Sequence, residues 1–208
     1  MVGGIALGIL AYVLIMSLFK QIMYLTCRCE SLGPFDAVFL LDDRKNLSNI
    51  VSCCFTETFE FDSMKKYIHS KTSNLHKCRS KLSKKFGLWW FQEMDEAEWL
   101  AKKDEVIVLK EGIHDEAALS DYMCQLANIR EPFDNVQYKF FLIPDYQPGK
   151  SVAILKGHHS FTDGLGYGAF LLMLSGNYDS SALPALKPVS FGKQLCIWIL
   201  LPFLFIKS

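Results

Sequence analysis

The sequence has no surplus of charge of either sign: its 208 residues carry 22 Lys and Arg against 22 Asp and Glu. Binding DNA or RNA phosphates needs a basic face, so the composition gives no electrostatic ground for a nucleic-acid partner. Neither GxGxxG nor GxxxxGK[ST] occurs, which leaves dinucleotide and P-loop chemistry without support. Histidine is scarce, with five residues in all. The seven cysteines, Cys27, Cys29, Cys53, Cys54, Cys78, Cys124 and Cys196, show no paired CxxC spacing and no neighbouring His ligands. A zinc site and a disulfide framework are both disfavoured, and reduced thiols facing the cytosol are the simplest reading. No internal repeat, low-complexity tract or linker divides the chain. A hydrophobic content of 50% excludes a disordered tail. The length fits one domain, alone or with membrane segments.

Apolar residues concentrate at the two ends. Val2 to Phe19 is an uncharged run of 18 residues, and after Lys20 and Gln21 apolar character resumes from Ile22 to Leu25. That is long enough to span a bilayer. A cleaved signal peptide competes with this reading, but no positive n-region precedes the run and no A-x-A-like site follows it. A helix buried in the protein is a third reading. Lys20 and Arg28 follow the run and no cation precedes it, so the positive-inside bias places the following domain in the cytosol. Cys27 and Cys29 lie beside this helix as palmitate candidates, with ordinary free thiols the plainer reading. Near the other end Leu195 to Ile206 is uncharged between Lys193 and Lys207. Twelve residues are too few to span, and Pro202 would kink them, so an interfacial or re-entrant segment is expected.

Between the ends, strand-like and helix-like runs alternate as in an α/β protein. Val38 to Leu41, Ser52 to Phe61, Val106 to Lys110, Tyr138 to Pro144 and Val152 to Lys156 are rich in Val, Ile, Phe and Thr and predict strands. Adjacent Cys53 and Cys54 in such a strand point to opposite faces, so one is expected to be buried. Asp62 predicts a helix start with Met64, Tyr67 and Ile68 on one face. Asp115 predicts another, with Leu119, Tyr122, Met123 and Leu126 at core-facing spacing. Lys65 to Lys85 is rich in Lys, Arg and His. It reads as a solvated face, or as a surface for anionic headgroups or substrate phosphates. Trp89, Trp90 and Trp99 read as core or interface aromatics.

Residues Ser151 to Phe170 read SVAILKGHHSFTDGLGYGAF. A buried-looking strand runs directly into Gly157-His158-His159, then a short loop with Asp163 and Gly164. A strand end delivers polar groups into a cleft, and a neutral imidazole there can take a proton from a hydroxyl nucleophile near working pH. Asp163 can fold back to fix the turn or pair with a basic residue, and Gly164 would permit a positive φ that closes it. A pair of core or metal-binding histidines is the plainer alternative. His69, His76 and His114 lie in segments without a metal-ligand pattern.

His158-His159-Ser160-Phe161-Thr162-Asp163-Gly164 resembles the HHxxxDG signature of CoA-dependent acyltransferases, specifically the wax ester synthase/diacylglycerol acyltransferase family. Four fixed positions arise by accident in a chain of this size about once in a thousand. Pro34-Phe35-Asp36-Ala37-Val38-Phe39-Leu40 resembles the P-x-D-A-x-F-L segment that opens the catalytic domain of that family. The resemblance implies one lobe of the chloramphenicol acetyltransferase-like fold, an α+β sandwich with a mixed sheet covered by helices. The chain divides accordingly into a membrane helix over 1–26, an acyltransferase lobe over 31–188 and a hydrophobic membrane-associated segment over 190–208. The implied reaction moves a fatty acyl group from acyl-CoA, a co-substrate and the only cofactor-like molecule required, to diacylglycerol or a long-chain alcohol. His159 would be the general base, His158 a positioning residue, Asp163 a structural residue whose ion pair shapes the loop, and Gly164 the residue that keeps the substrate channel open. No covalent acyl-enzyme and no metal are implied. The expected location is a membrane, the endoplasmic reticulum, with the domain on the cytosolic side.

Two departures from the family pattern accompany the match. Members of that family look two-lobed, and only the first lobe is present here, so a second lobe or a homo-oligomer is an implied partner. The Pro-Leu-Trp-like element before the motif strand is replaced by Asn135-Val136-Gln137-Tyr138. A non-catalytic membrane or lipid-droplet protein that keeps the lobe to bind lipid or a partner is the competing function. An enzyme with another acceptor, as in condensation domains, is a third.

Overall fold

The computed structural model describes residues 2–41, 47–162 and 164–175. Leu195 to Ile206, Cys196 and Asp163 lie outside the described residues, as does the expected segment over 190–208. In chain order the elements are α1 (Val2–Cys27), β1 (Cys29–Ser31), α2 (Pro34–Val38), β2 (Asn49–Glu57), α3 (Phe61–Thr72), β3 (Ser80–Lys85), β4 (Leu88–Glu93), α4 (Glu96–Lys102), β5 (Ile107–Leu109), α5 (Glu116–Ala127), β6 (Tyr138–Gln147), β7 (Lys150–His158) and α6 (Gly164–Leu174).

Four strands form a mixed sheet in the order β2-β7-β6-β5, antiparallel except for the parallel β5/β6 pair. Side chains alternate across a strand, and the two faces are sorted accordingly. Phe141 and Ile143 of β6 and Val152 and Ile154 of β7 join Leu119 and Leu126 of α5. Tyr138, Phe140, Leu142 and Leu155 join Ile68 of α3 and Tyr167 and Phe170 of α6 on the other face. Both faces are covered, which is why β6 and β7 read as nearly continuous apolar runs. Cys53 packs against the α5 face while its neighbour Cys54 is exposed, as their alternation requires.

The helix over Glu116–Ala127 starts where expected, because the Asp115 carboxylate accepts the Ala118 N–H at 2.8 Å. Two expectations need correction. Val38 to Leu41 is not a strand: Pro34, with φ already fixed for a helix, opens α2, and Phe39–Leu41 continue as a 3₁₀ turn. The strand predicted from Ser52 to Phe61 runs instead over Asn49–Glu57, as far as its pairing with β7 extends. Phe61 then opens α3, whose N-cap is Glu60, not Asp62.

A second, three-stranded antiparallel sheet, β1-β4-β3, has no counterpart in the sequence reading. It places Trp90 at zero exposure against Phe19 and Met23 of α1, while Trp99 is buried in the main core. Most of α1 stands clear of the domain: Leu7, Ile15 and Leu18 are each more than 60% exposed. It is apolar all round, and its Leu7–Cys27 stretch of 21 residues is long and apolar enough to cross a membrane. The Lys65 to Lys85 segment is no single helical face. It is split between α3, a 3₁₀ turn and β3, and three of its cations meet acids on or next to α4: Lys65 with Asp104 at 2.7 Å, Arg79 with Glu96 at 2.6 Å and Lys81 with Glu98 at 2.6 Å. Part of that basic character is therefore neutralised within the protein.

Candidate active site

The motif begins at the last residue of β7. His158 pairs with Asn49 of β2, and its N–H donates to the Gln137 carbonyl at 2.9 Å. Its side chain is buried. The Ser160 N–H donates to His158 Nδ1 at 3.2 Å, and the Ser160 hydroxyl lies 2.7 Å from the same nitrogen. A backbone N–H can only donate, so Nδ1 carries the lone pair and the imidazole proton sits on Nε2. The tight turn formed by the Phe161 N–H and the His158 carbonyl, 2.8 Å apart, closes this arrangement.

His159 leaves the strand in another direction. Its N–H donates to the Ser48 carbonyl at 2.7 Å, and its half-buried ring stacks on Phe39 with centroids 3.7 Å apart and planes 17° from parallel. Its Nδ1 is buried and has no hydrogen-bond partner among the described residues. The PFDAVFL segment and the motif, far apart in sequence, thus meet through one aromatic contact. Asp163 lies outside the described residues. Gly164 does not adopt the expected positive φ. It is the first residue of α6, exposed, and an added Cβ there would meet nothing within 4 Å.

Several supporting residues were not read from the sequence. Gly157 faces Tyr167: a Cβ at Gly157 would lie 3.3 Å from the tyrosine ring. The Tyr167 hydroxyl donates to the Leu155 carbonyl at 2.7 Å and lies 3.1 Å from Ser52 Oγ, which ties α6 to β7 and β2. Burial pushes its phenol up to about 12. One pleat before His158, Lys156 is 1% exposed and its ammonium donates to Glu131 at 2.7 Å; Lys139 reaches the other carboxylate oxygen at 2.9 Å. Burial alone would raise the Glu131 carboxyl, but the hydrogen bonds and charges of Lys156 and Lys139 outweigh it and hold the group below the usual glutamate range. Burial pulls the Lys156 ammonium down even beside that carboxylate. Residues 135–138, which replace the Pro-Leu-Trp-like element, form the shoulder under the motif. There Gln137 Nε2 donates to the Pro132 and Asn135 carbonyls at 3.0 and 2.9 Å.

A cleft of about 340 Å³ borders the motif turn, lined by Phe161, Thr162, Gly166 and Phe170 on one side and His76 and Lys77 on the other. Its volume lies in the range of small-molecule sites, though it is open. Among the described residues no cluster of His, Cys, Asp or Glu is arranged to hold a metal.

No family model matches the chain, and no curated protein matches it. Solved structures do. The wax ester synthase/diacylglycerol acyltransferase from Marinobacter aquaeolei VT8 superposes with a TM-score of 0.57 at 14% identity, over 86% of this chain and 46% of that one. The first condensation domain of the calcium-dependent antibiotic synthetase, in complex with a substrate analogue, gives 0.61 at 15% identity over 76% and 40%. A variant of the starter condensation domain of rhizomide synthetase in complex with C8-CoA gives 0.55 at 12% identity over 70% and 34%. The chain spans less than half the length of each of these structures. These likenesses bear on the fold alone: a mixed sheet covered by helices, as in one lobe of the CoA-dependent acyltransferase fold.

Proposed function

We propose that this chain is the histidine-bearing lobe of a membrane-bound, acyl-CoA-dependent O-acyltransferase acting on diacylglycerol or a long-chain alcohol. The observation that carries the reading is the HHxxxDG sequence at the end of β7, in this fold, with His159 held between Phe39 and the Ser48 carbonyl. His159 accepts the acceptor's hydroxyl proton as its oxygen attacks the thioester carbonyl. The new C–O bond forms, the C–S bond breaks, and the proton passes from the imidazolium to the departing CoA thiolate. His158, with its proton fixed on Nε2 by Ser160, positions the turn. Asp163 shapes the loop through an ion pair, and Gly164 leaves the channel mouth unobstructed. The apolar α1 anchors the lobe in the membrane of the endoplasmic reticulum with its domain facing the cytosol, where acyl-CoA is found. A second lobe, or another copy of this chain, completes the substrate tunnel.

The test is incorporation of labelled acyl-CoA into neutral lipid by membranes expressing residues 1–208, with hexadecanol and diacylglycerol both offered. Activity that His159→Ala abolishes supports a working site, and the preferred acceptor identifies the substrate. Equal activity in the wild type and His159→Ala overturns the assigned base. Folded protein without activity in either shifts the reading to a non-catalytic lobe that binds lipid or a partner lobe.

A further inference from the structure

The β3–β4 hairpin turns at Phe86 and Gly87, and both residues have positive φ, +53° and +77°. This is the tight two-residue turn that suits hairpin twist, and it ordinarily takes Asn or Gly at its first position. A bulky aromatic there strains the backbone, because its Cβ crowds the following carbonyl oxygen. Phe86 obtains little from the protein in exchange, for it is 77% exposed, and its neighbour Leu88 is 37% exposed. An exposed apolar residue held in a strained conformation is a pointer to function.

Its ring contact among the described residues says where it lies. Phe86 meets Phe19 of α1 edge to face with centroids 5.5 Å apart, and Phe19 also packs on Trp90. Phe19 closes the uncharged run from Val2, and it falls inside the Leu7–Cys27 stretch. With the boundary at the end of that uncharged run, the ring of Phe86 is at the level where α1 leaves the hydrocarbon, and Lys20 stands on the headgroup side. Lys20 follows Phe19 directly, and Lys84 precedes the tip by two residues with its ammonium 5.8 Å over the Trp89 ring; both lysines are exposed. Apolar tip, flanking tryptophan and flanking lysines are the chemistry of a membrane interface with anionic headgroups.

We propose that the Phe86–Gly87 tip is a second membrane contact, inserted in the lipid beside α1, with Lys20 and Lys84 at the headgroup phosphates. This rests on α1 being a membrane helix. A single helix leaves the domain free to rotate about its axis, whereas two attachment points fix which face of the domain meets the lipid. The β1–β4–β3 sheet then stands against the bilayer, and the His76 and Lys77 side of the cleft stands next to it, since Tyr24 of α1 and His76 lie 6.1 Å apart.

The test places benzoylphenylalanine at position 86 of the full chain in membranes, with position 129 as control because Ile129 is also apolar and 49% exposed. After irradiation the labelled peptide is analysed by mass spectrometry, and resistance to carbonate extraction is measured on the same membranes. The expected result is a carbonate-resistant chain with phospholipid adducts at 86 several-fold above those at 129. A carbonate-resistant chain without lipid adducts at 86 overturns the tip contact and leaves the membrane helix standing. Extraction by carbonate overturns both. Adducts at 86 to a protein in place of lipid overturn the lipid assignment in favour of a protein partner.

Discussion

The imidazole of His159 lies face to face with the ring of Phe39, 3.7 Å between centroids, so a side chain from the 3₁₀ turn after α2 sets the orientation of the histidine at the end of β7. Such stacking contributes about 0.5–1.5 kcal/mol beyond area burial. Phe39→Ala is expected to free the ring and speed carbethoxylation of His159 by diethyl pyrocarbonate, with His159→Ala identifying the modified residue. An unchanged rate would show that the stack does not restrain the imidazole.

Ser160→Ala removes the hydroxyl beside His158 Nδ1 and leaves the backbone N–H donor. A buried hydrogen bond of this kind is worth about 1 kcal/mol, which for a chain of this size lowers Tm by roughly 2–4 °C. His158→Ala, which also opens a cavity, is expected to cost more. Thermal unfolding of the detergent-solubilised chain ranks the two, and a reversed order would refute the assigned contact.

Glu131→Gln leaves Lys156 and Lys139 facing an uncharged amide in a buried setting. Breaking one partner of such a cluster costs about 3–5 kcal/mol. The pH dependence has a fixed sign. The folded-state carboxyl sits below its ordinary 4.5, so its contribution is complete above that value and is lost as pH falls through the lower folded value. Wild-type stability, followed by denaturant unfolding, should therefore drop below about pH 4.5 more steeply than that of Glu131→Gln. Parallel curves would count against the charge cluster.

Gly157→Ala drives a methyl to 3.3 Å from a tyrosine ring that two polar contacts hold in place. Overpacking of this kind costs roughly 1–3 kcal/mol. Adding Tyr167→Phe should recover part of the loss, because the ring can then yield. A double mutant no better than the sum of the singles would mean that the tyrosine is not the obstacle.

How much of this was legible in the sequence depends on the range of the interaction. The β6 and β7 runs, the Asp115 cap and the α5 stripe were readable because composition and local spacing decide them. The β3–β4 hairpin was hidden: in β3 only Leu82 is apolar, and its lysines read as a solvated face, although one of them, Lys81, pairs with Glu98 of α4. Val38 to Leu41 has a strand's composition but inherits a helix from Pro34. The stack of Phe39 on His159, the support of Gln137 under His158 and the Tyr167 bracket depend on tertiary pairing that no local pattern encodes.

The register of β2 against β7 begins with Asn49 opposite His158, partners about a hundred residues apart. During synthesis the β2 segment leaves the ribosome long before its partner exists, and must wait without collapsing onto the wrong neighbour. Closure of so long a loop is entropically slow, and contacts of this kind set folding rate more than stability. The histidine turn, which takes its Ser48 carbonyl and its Phe39 ring from the far side of that closure, is thus among the last features of the lobe to form.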